Sequence, residues 1–224
     1  MIYDEWITAI FDHAVTDPAW YFQGYEAPEL WDLTRQPETA VQLMTQTFGE
    51  SGNLPQTFSD GQIADGINYI INNSCSDLPF AIYEIENGVP LEARLKCLES
   101  FYSVYQQLFA PRCSPDLGHT IYDNRPVSPL NYPCYMWWDM TPISGHPDDP
   151  RYVEIDQTIL NVMAKTLTID SLPCCEGALH GLGHWHDKYP QQVEAIIDAF
   201  LAEDREVSRR MRSYALAART GGIM

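Results

Sequence analysis

The sequence predicts an all-α fold, and three observations carry that reading. Apolar residues recur at i, i+3, i+4 and i+7 in one segment after another, the period of a helix with one buried face. The segments open on Ser or Pro and stop at Gly or Pro, residues that suit helix starts and ends. Between Pro111 and Pro150 the helical period fails, and there eight prolines punctuate the chain.

Tyr3–Val15 predicts the first helix, with Trp6, Ile7, Ile10 and Phe11 inward. A Pro- and aromatic-bearing connection follows, then a short helix around 29–33. Pro37 opens the next, whose inward face is Ala40, Val41, Leu43, Met44 and Phe48. Ser59-Asp60-Gly61-Gln62 is a capping box, because Ser and Gln three apart can each satisfy the other's free amide. It starts a helix through Ile63, Ile67, Ile70 and Ile71.

Pro90 opens the longest predicted helix, with Leu91, Leu95, Leu98, Phe101, Tyr105 and Leu108 on its apolar side, and Pro111 ends it. Pro129, Pro133 and Pro142 then argue against a central strand, so 111–150 reads as one long connection. Helices resume over Tyr152–Ile169, Ser171–Trp185, Pro190–Ala202 and Asp204–Ala218. The expected organisation is an acidic N-terminal helical half (1–110), an irregular Pro- and aromatic-rich connection (111–150) and a C-terminal helical half (151–224), joined as one continuous domain.

The composition bounds the function. At 224 residues and 45% hydrophobic, the chain is long enough to bury a sizeable core. The net charge is −18, and residues 1–90 hold fourteen acids against a single base, Arg35. A field of that sign repels nucleic acid and anionic membrane and attracts basic partners. Arg205, Arg209, Arg210 and Arg212 are interleaved with acids and read as a solvated face or an internal complement to the acidic half. No apolar run reaches the roughly 20 residues of a membrane helix, and Asp4 and Glu5 stand where a signal peptide carries Lys or Arg. A cytoplasmic protein with six reduced cysteines is expected, without disulfides, cofactor or C-x-x-C zinc site.

Two resemblances bear on the function. Ala178-Leu179-His180-Gly181-Leu182-Gly183, followed by Pro190 and the Val193–Leu201 stripe, resembles one HEAT-type helical repeat. That implies helical hairpins in an α-solenoid-type arrangement, a fold that commonly presents surfaces to partners. In size, charge and fold class the chain is also similar to the immunity proteins of bacterial toxin systems. That likeness implies a non-catalytic, stoichiometric inhibitor of a basic partner such as a toxin. On this reading Asp60, Asp65, Asp77, Glu84 and Glu86 form the attracting surface, with Trp137 or Trp138 as an aromatic anchor. The reading favoured for Tyr135, Trp137 and Trp138, because large aromatics in succession are costly to expose, has them plugging the joint between the two helical halves.

The alternative is a metal-dependent hydrolase. Glu176, His180 and His184 stand at i, i+4 and i+8 on one helical face, with Asp187 on the same side. Imidazoles four apart near a carboxylate are how helices present ligands to a metal. Gly181 follows His180, where a metalloprotease motif requires Glu. The structural explanation weighed against it has both histidines hydrogen-bonded inside the helical packing, with Gly177 and Gly181 letting a neighbouring helix approach. Cys174-Cys175 at a helix start gives a weaker nucleophile candidate, because no orienting partner is identifiable.

Overall fold

The computed structural model of the chain describes residues 1–24, 28–55, 57–120, 126–203 and 207–223. It is all-α, and no strand occurs among the described residues. The helices are α1 (Tyr3–Phe11), α2 (Pro28–Thr34), α3 (Pro37–Gly49), α4 (Asp60–Ile71), α5 (Phe80–Tyr83) and α6 (Leu91–Ser103). They continue with α7 (Ala110–Arg112), α8 (Asn131–Met140), α9 (Val153–Thr166), α10 (Leu172–Trp185), α11 (Pro190–Ala202) and α12 (Arg209–Ala218). No described helix is long and apolar enough to cross a membrane.

Local chemistry accounts for the helix starts. The Ser59 hydroxyl accepts from the Gln62 amide at 3.2 Å, and the Gln62 carboxamide accepts from the Ser59 amide at 3.0 Å, so two of the free N–H groups at the start of α4 are satisfied. At α1 the Glu5 carboxylate accepts from the Ile2 amide at 3.1 Å. Ser208 caps α12 by accepting from the Met211 amide at 3.2 Å. The expected last helix began at 204; residues 204–206, and with them Arg205, lie outside the described residues.

The segment 111–150 differs from the sequence expectation. Asn131–Met140 is a helix, α8, with Pro133 in its first turn. The first four amides of a helix have no intrahelical acceptor, so Pro133 loses no bond there. α6 likewise continues through a π-helical turn at Val104–Phe109 into α7 and passes Pro111 before stopping at Arg112. The wide turn loosens the ladder that the Pro111 ring would otherwise disrupt.

α6 lies between α3 and α9, while α8 packs on α4 and, most extensively, on α10. α9, α11 and α12 cover the rest of α10. Trp137 on α8 is fully buried, with its ring 4.9 Å from Phe101, 5.7 Å from Phe48 and 5.9 Å from Phe109, each edge-on. Trp138 is buried beside it and lies parallel to Tyr105. Burial of side chains this large contributes about 1.5–3 kcal/mol each. These two tryptophans are therefore core residues, as the joint-plug reading has it, and not the surface anchor of the partner-binding reading.

The tight α8–α10 contact depends on two glycines. A Cβ at Gly177 would collide with the Cys134 carbonyl oxygen, and one at Gly181 would lie 2.5 Å from the Trp138 ring. Four residues apart, they form the smooth seam on which α8 lies. That close approach is what brings α8 to the histidines of α10.

Candidate metal centre

α10 places His180 and His184 one turn apart on the same face, and α8 delivers Asp139 to it near its C-terminal end. His180 Nε2 is 2.9 Å from Asp139 Oδ2, and His184 Nε2 is 2.9 Å from Asp139 Oδ1. The two Nε2 atoms are 3.2 Å apart. Among the described residues these three side chains form a group able to hold a metal ion. An ion about 2.0–2.1 Å from both Nε2 atoms would see them at an angle of roughly 100°, and Asp139 presents one oxygen toward each of the two nitrogens.

The chemistry of the donors fits as well. Each imidazole needs an N–H at Nε2 to donate to Asp139, yet the same nitrogens face each other at hydrogen-bond distance with no acceptor between them. One cation in place of those protons satisfies all three groups. Two histidines and a carboxylate, with the remaining coordination positions open, constitute a recurrent ligand set for zinc and non-haem iron. His180 is buried, whereas the side chains of His184 and Asp139 are 42% and 26% exposed, so the centre opens to solvent on one side.

A second layer holds His180 in place. Its Nδ1 lies 2.7 Å from the Tyr214 hydroxyl, which is 3.2 Å from the Tyr135 hydroxyl, and the Tyr135 ring packs on the imidazole at 4.4 Å. With Nε2 facing a cation, Nδ1 carries the proton and donates to Tyr214. Burial, followed by the Tyr135 hydrogen bond, pushes the Tyr214 hydroxyl far above the usual phenol range, so it stays neutral. Burial opposes ionisation of Asp139, but hydrogen bonds from His180 and His184 outweigh it and hold this carboxyl well below its usual range. The Asp139 hydrogen bond in turn raises the His184 pKa.

Glu176 is not part of the triangle. Its buried carboxylate accepts from the Gly118 amide at 2.5 Å, from the His119 amide at 3.1 Å and from the His119 ring through Nδ1. The separation explains this: eight residues of helix span about 12 Å, too far for Glu176 and His184 to meet at one ion. The His119 ring then stacks on Tyr214 at 4.4 Å, which places a carboxylate-oriented imidazole beside the residue that supports His180. Asp187 lies exposed, beyond the end of α10.

Asp139 and His119 were absent from the sequence-predicted candidates. Asp139 follows Trp137-Trp138 in a segment read as irregular; recognising Pro133 as a first-turn proline would have exposed it. The Cys174 and Cys175 thiols are buried and donate to the carbonyls of Tyr105 and Ile169 at 3.5 and 3.3 Å, an arrangement that serves packing.

The expected attracting surface is partly neutralised. Asp60 is paired with Arg112, and Glu86 with Arg151 at 2.6 Å. Asp65 is half-buried, while Asp77 and Glu84 are exposed. The expectation of a non-catalytic binding module and non-enzyme is corrected by the Asp139–His180–His184 cluster. Three converging ligand atoms with a solvent-facing side give the protein the means for metal chemistry, which favours the catalytic alternative.

Fold and site together define the class: an all-α protein with a two-histidine, one-carboxylate cluster able to coordinate a metal ion. No family model, curated protein or solved structure matches the chain.

Proposed function

We propose that the protein is a metal-dependent hydrolase whose ion is held by Asp139, His180 and His184. The observation that carries this reading is the convergence of three ligating side chains at a partly exposed position, with the two Nε2 atoms 3.2 Å apart and an Asp139 oxygen 2.9 Å from each. A divalent ion in such a site supplies Lewis acidity and an activated water near neutral pH. The chain's own residues do the rest. Tyr214 fixes the tautomer and ring plane of His180, and Asp139 spans both imidazoles, so the donor atoms are set before an ion arrives. His119, oriented by the buried Glu176 through Nδ1, stacks on Tyr214 and so supports the residue that fixes His180.

We also read α10–α11 as a HEAT-type hairpin serving as scaffold for the site. Pro190 opening α11 and the buried stripe Val193, Ile197 and Phe200 support this.

The function is tested by assaying zinc- and iron-loaded protein against chromogenic ester, phosphomonoester and phosphodiester substrates. Turnover that disappears on chelation, returns with metal and is absent in Asp139→Ala is expected. Turnover that survives chelation and the Asp139→Ala substitution unchanged would overturn the reading.

A further inference from the structure

Asp156, in the first turns of α9, is only 1% exposed. Its Oδ2 accepts from the Tyr189 hydroxyl at 2.5 Å and from the His146 amide at 2.6 Å, which ties the loop before α9 to the start of α11. Its Oδ1 is also buried but has no partner among the described residues. A carboxylate oxygen accepts hydrogen bonds, so a donor brought to it from the cavity would satisfy that atom.

The same aspartate belongs to the wall of a cavity of about 210 Å³. Phe80, Ile143 and Tyr152 give it apolar and aromatic walls, and the exposed Glu84 adds a second carboxylate. His146 stacks on Tyr152 at 4.1 Å, and its buried Nδ1 is likewise unpartnered. No Lys or Arg stands among the residues of this wall. Tyr83 and Ser144 add hydroxyls, which can donate or accept, so the only full charges on the wall are carboxylates, and these with the aromatic faces select a cation over an anion. The volume, below that of typical drug-sized pockets, limits it to a few heavy atoms.

We propose that this cavity binds a small primary ammonium ion, with Asp156 Oδ1 accepting from the ammonium and Phe80 and Tyr152 covering its alkyl chain. The site shares no residue with Asp139, His180 and His184, so it stands or falls independently of the metal centre. A water molecule is the competing occupant for Oδ1, and the test separates the two.

The test is a titration of the full-length ¹⁵N-labelled protein with n-butylammonium chloride, followed by amide NMR shifts. Parallel titrations use 1-butanol and sodium chloride at matched ionic strength. Saturable shifts confined to residues 143–146 and 152–156, given by the ammonium alone, are expected. Asp156→Asn should weaken the apparent affinity roughly tenfold or more, as loss of a charge-assisted hydrogen bond does. Glu84→Gln, exposed and leaving the internal bonds of Asp156 intact, should weaken it by a smaller factor and keeps the test valid if Asp156→Asn fails to fold. Shifts that do not saturate, or that butanol reproduces, mean water alone caps Oδ1 and overturn the proposal. So does an affinity unchanged by Glu84→Gln and by a folded Asp156→Asn.

Discussion

Asp139 on α8 offers one carboxylate oxygen to each of two imidazoles on α10, and its Oδ1 stands 2.9 Å from His184 Nε2. The pair exists because α8 rides on the glycine seam of α10. Site geometry and helix packing are therefore one problem in this protein.

The seam is testable. Ala is the better helix former by about 1 kcal/mol, so Gly177→Ala would stabilise an isolated helix. Here its methyl meets the Cys134 carbonyl, backbone that cannot swing aside, and the overpacking cost of about 1–3 kcal/mol should win. Urea unfolding is expected to show net destabilisation, with zinc affinity lowered as α8 moves away. A more stable protein with unchanged affinity would contradict the seam.

Tyr214→Phe removes the hydroxyl that orients His180 and keeps the ring that stacks on His119. Zinc affinity should fall about 10–100-fold, the range for partners of metal-ligating histidines. Competition against a chromophoric chelator measures it, and an unaltered constant would show that Tyr214 does not support the centre.

Without metal, the site should leave a mark on the pH dependence of stability. The folded pKa of His184 is raised above 6.5, so its contribution is complete below that value and fades as pH rises through the folded pKa. The folded pKa of Asp139 is lowered from 3.8, so its contribution is present above that value and fades as pH falls. Together they give a plateau between about pH 4 and 6.5, of no more than about 1 kcal/mol because both groups meet solvent. Urea midpoints of chelated protein across this range should show the plateau, and His184→Ala should flatten it. Identical profiles for the two proteins would argue against the ion pair.

Arg94 supports the fold far from the site. Its buried guanidinium donates to the carbonyls of Val89 at 3.1 Å, Ile82 at 2.6 Å and Glu84 at 2.9 Å, closing the α5–α6 connection. Arg94→Ala leaves those acceptors unpaired and should cost about 3 kcal/mol. A thermal shift within error of zero would show that water replaces the guanidinium.

What was legible in the sequence was local. Ser59 and Gln62 announce α4 because both capping partners lie within one turn. His180 and His184 announce a shared face because four residues make about one turn. Gly177 and Gly181 announce a close neighbour, although not which one. Asp139 was hidden because its role depends on a contact between helices, and Pro133 masked the helix that carries it. Glu176 was misplaced because periodicity reports the face a residue is on, while eight residues of rise decide what it can reach. The cost of exposing successive large aromatics pointed to burial of the tryptophans rather than to an anchor, but nothing local showed the Phe48, Phe101 and Phe109 cluster that receives Trp137.

The most direct test of the metal centre is calorimetric titration of untagged, chelator-stripped protein with Zn²⁺, beside Asp139→Ala. One saturable site per chain, lost in the variant while its helical signal persists, is the expected result. No saturable binding to the unsubstituted protein, or equal binding to Asp139→Ala, would contradict it.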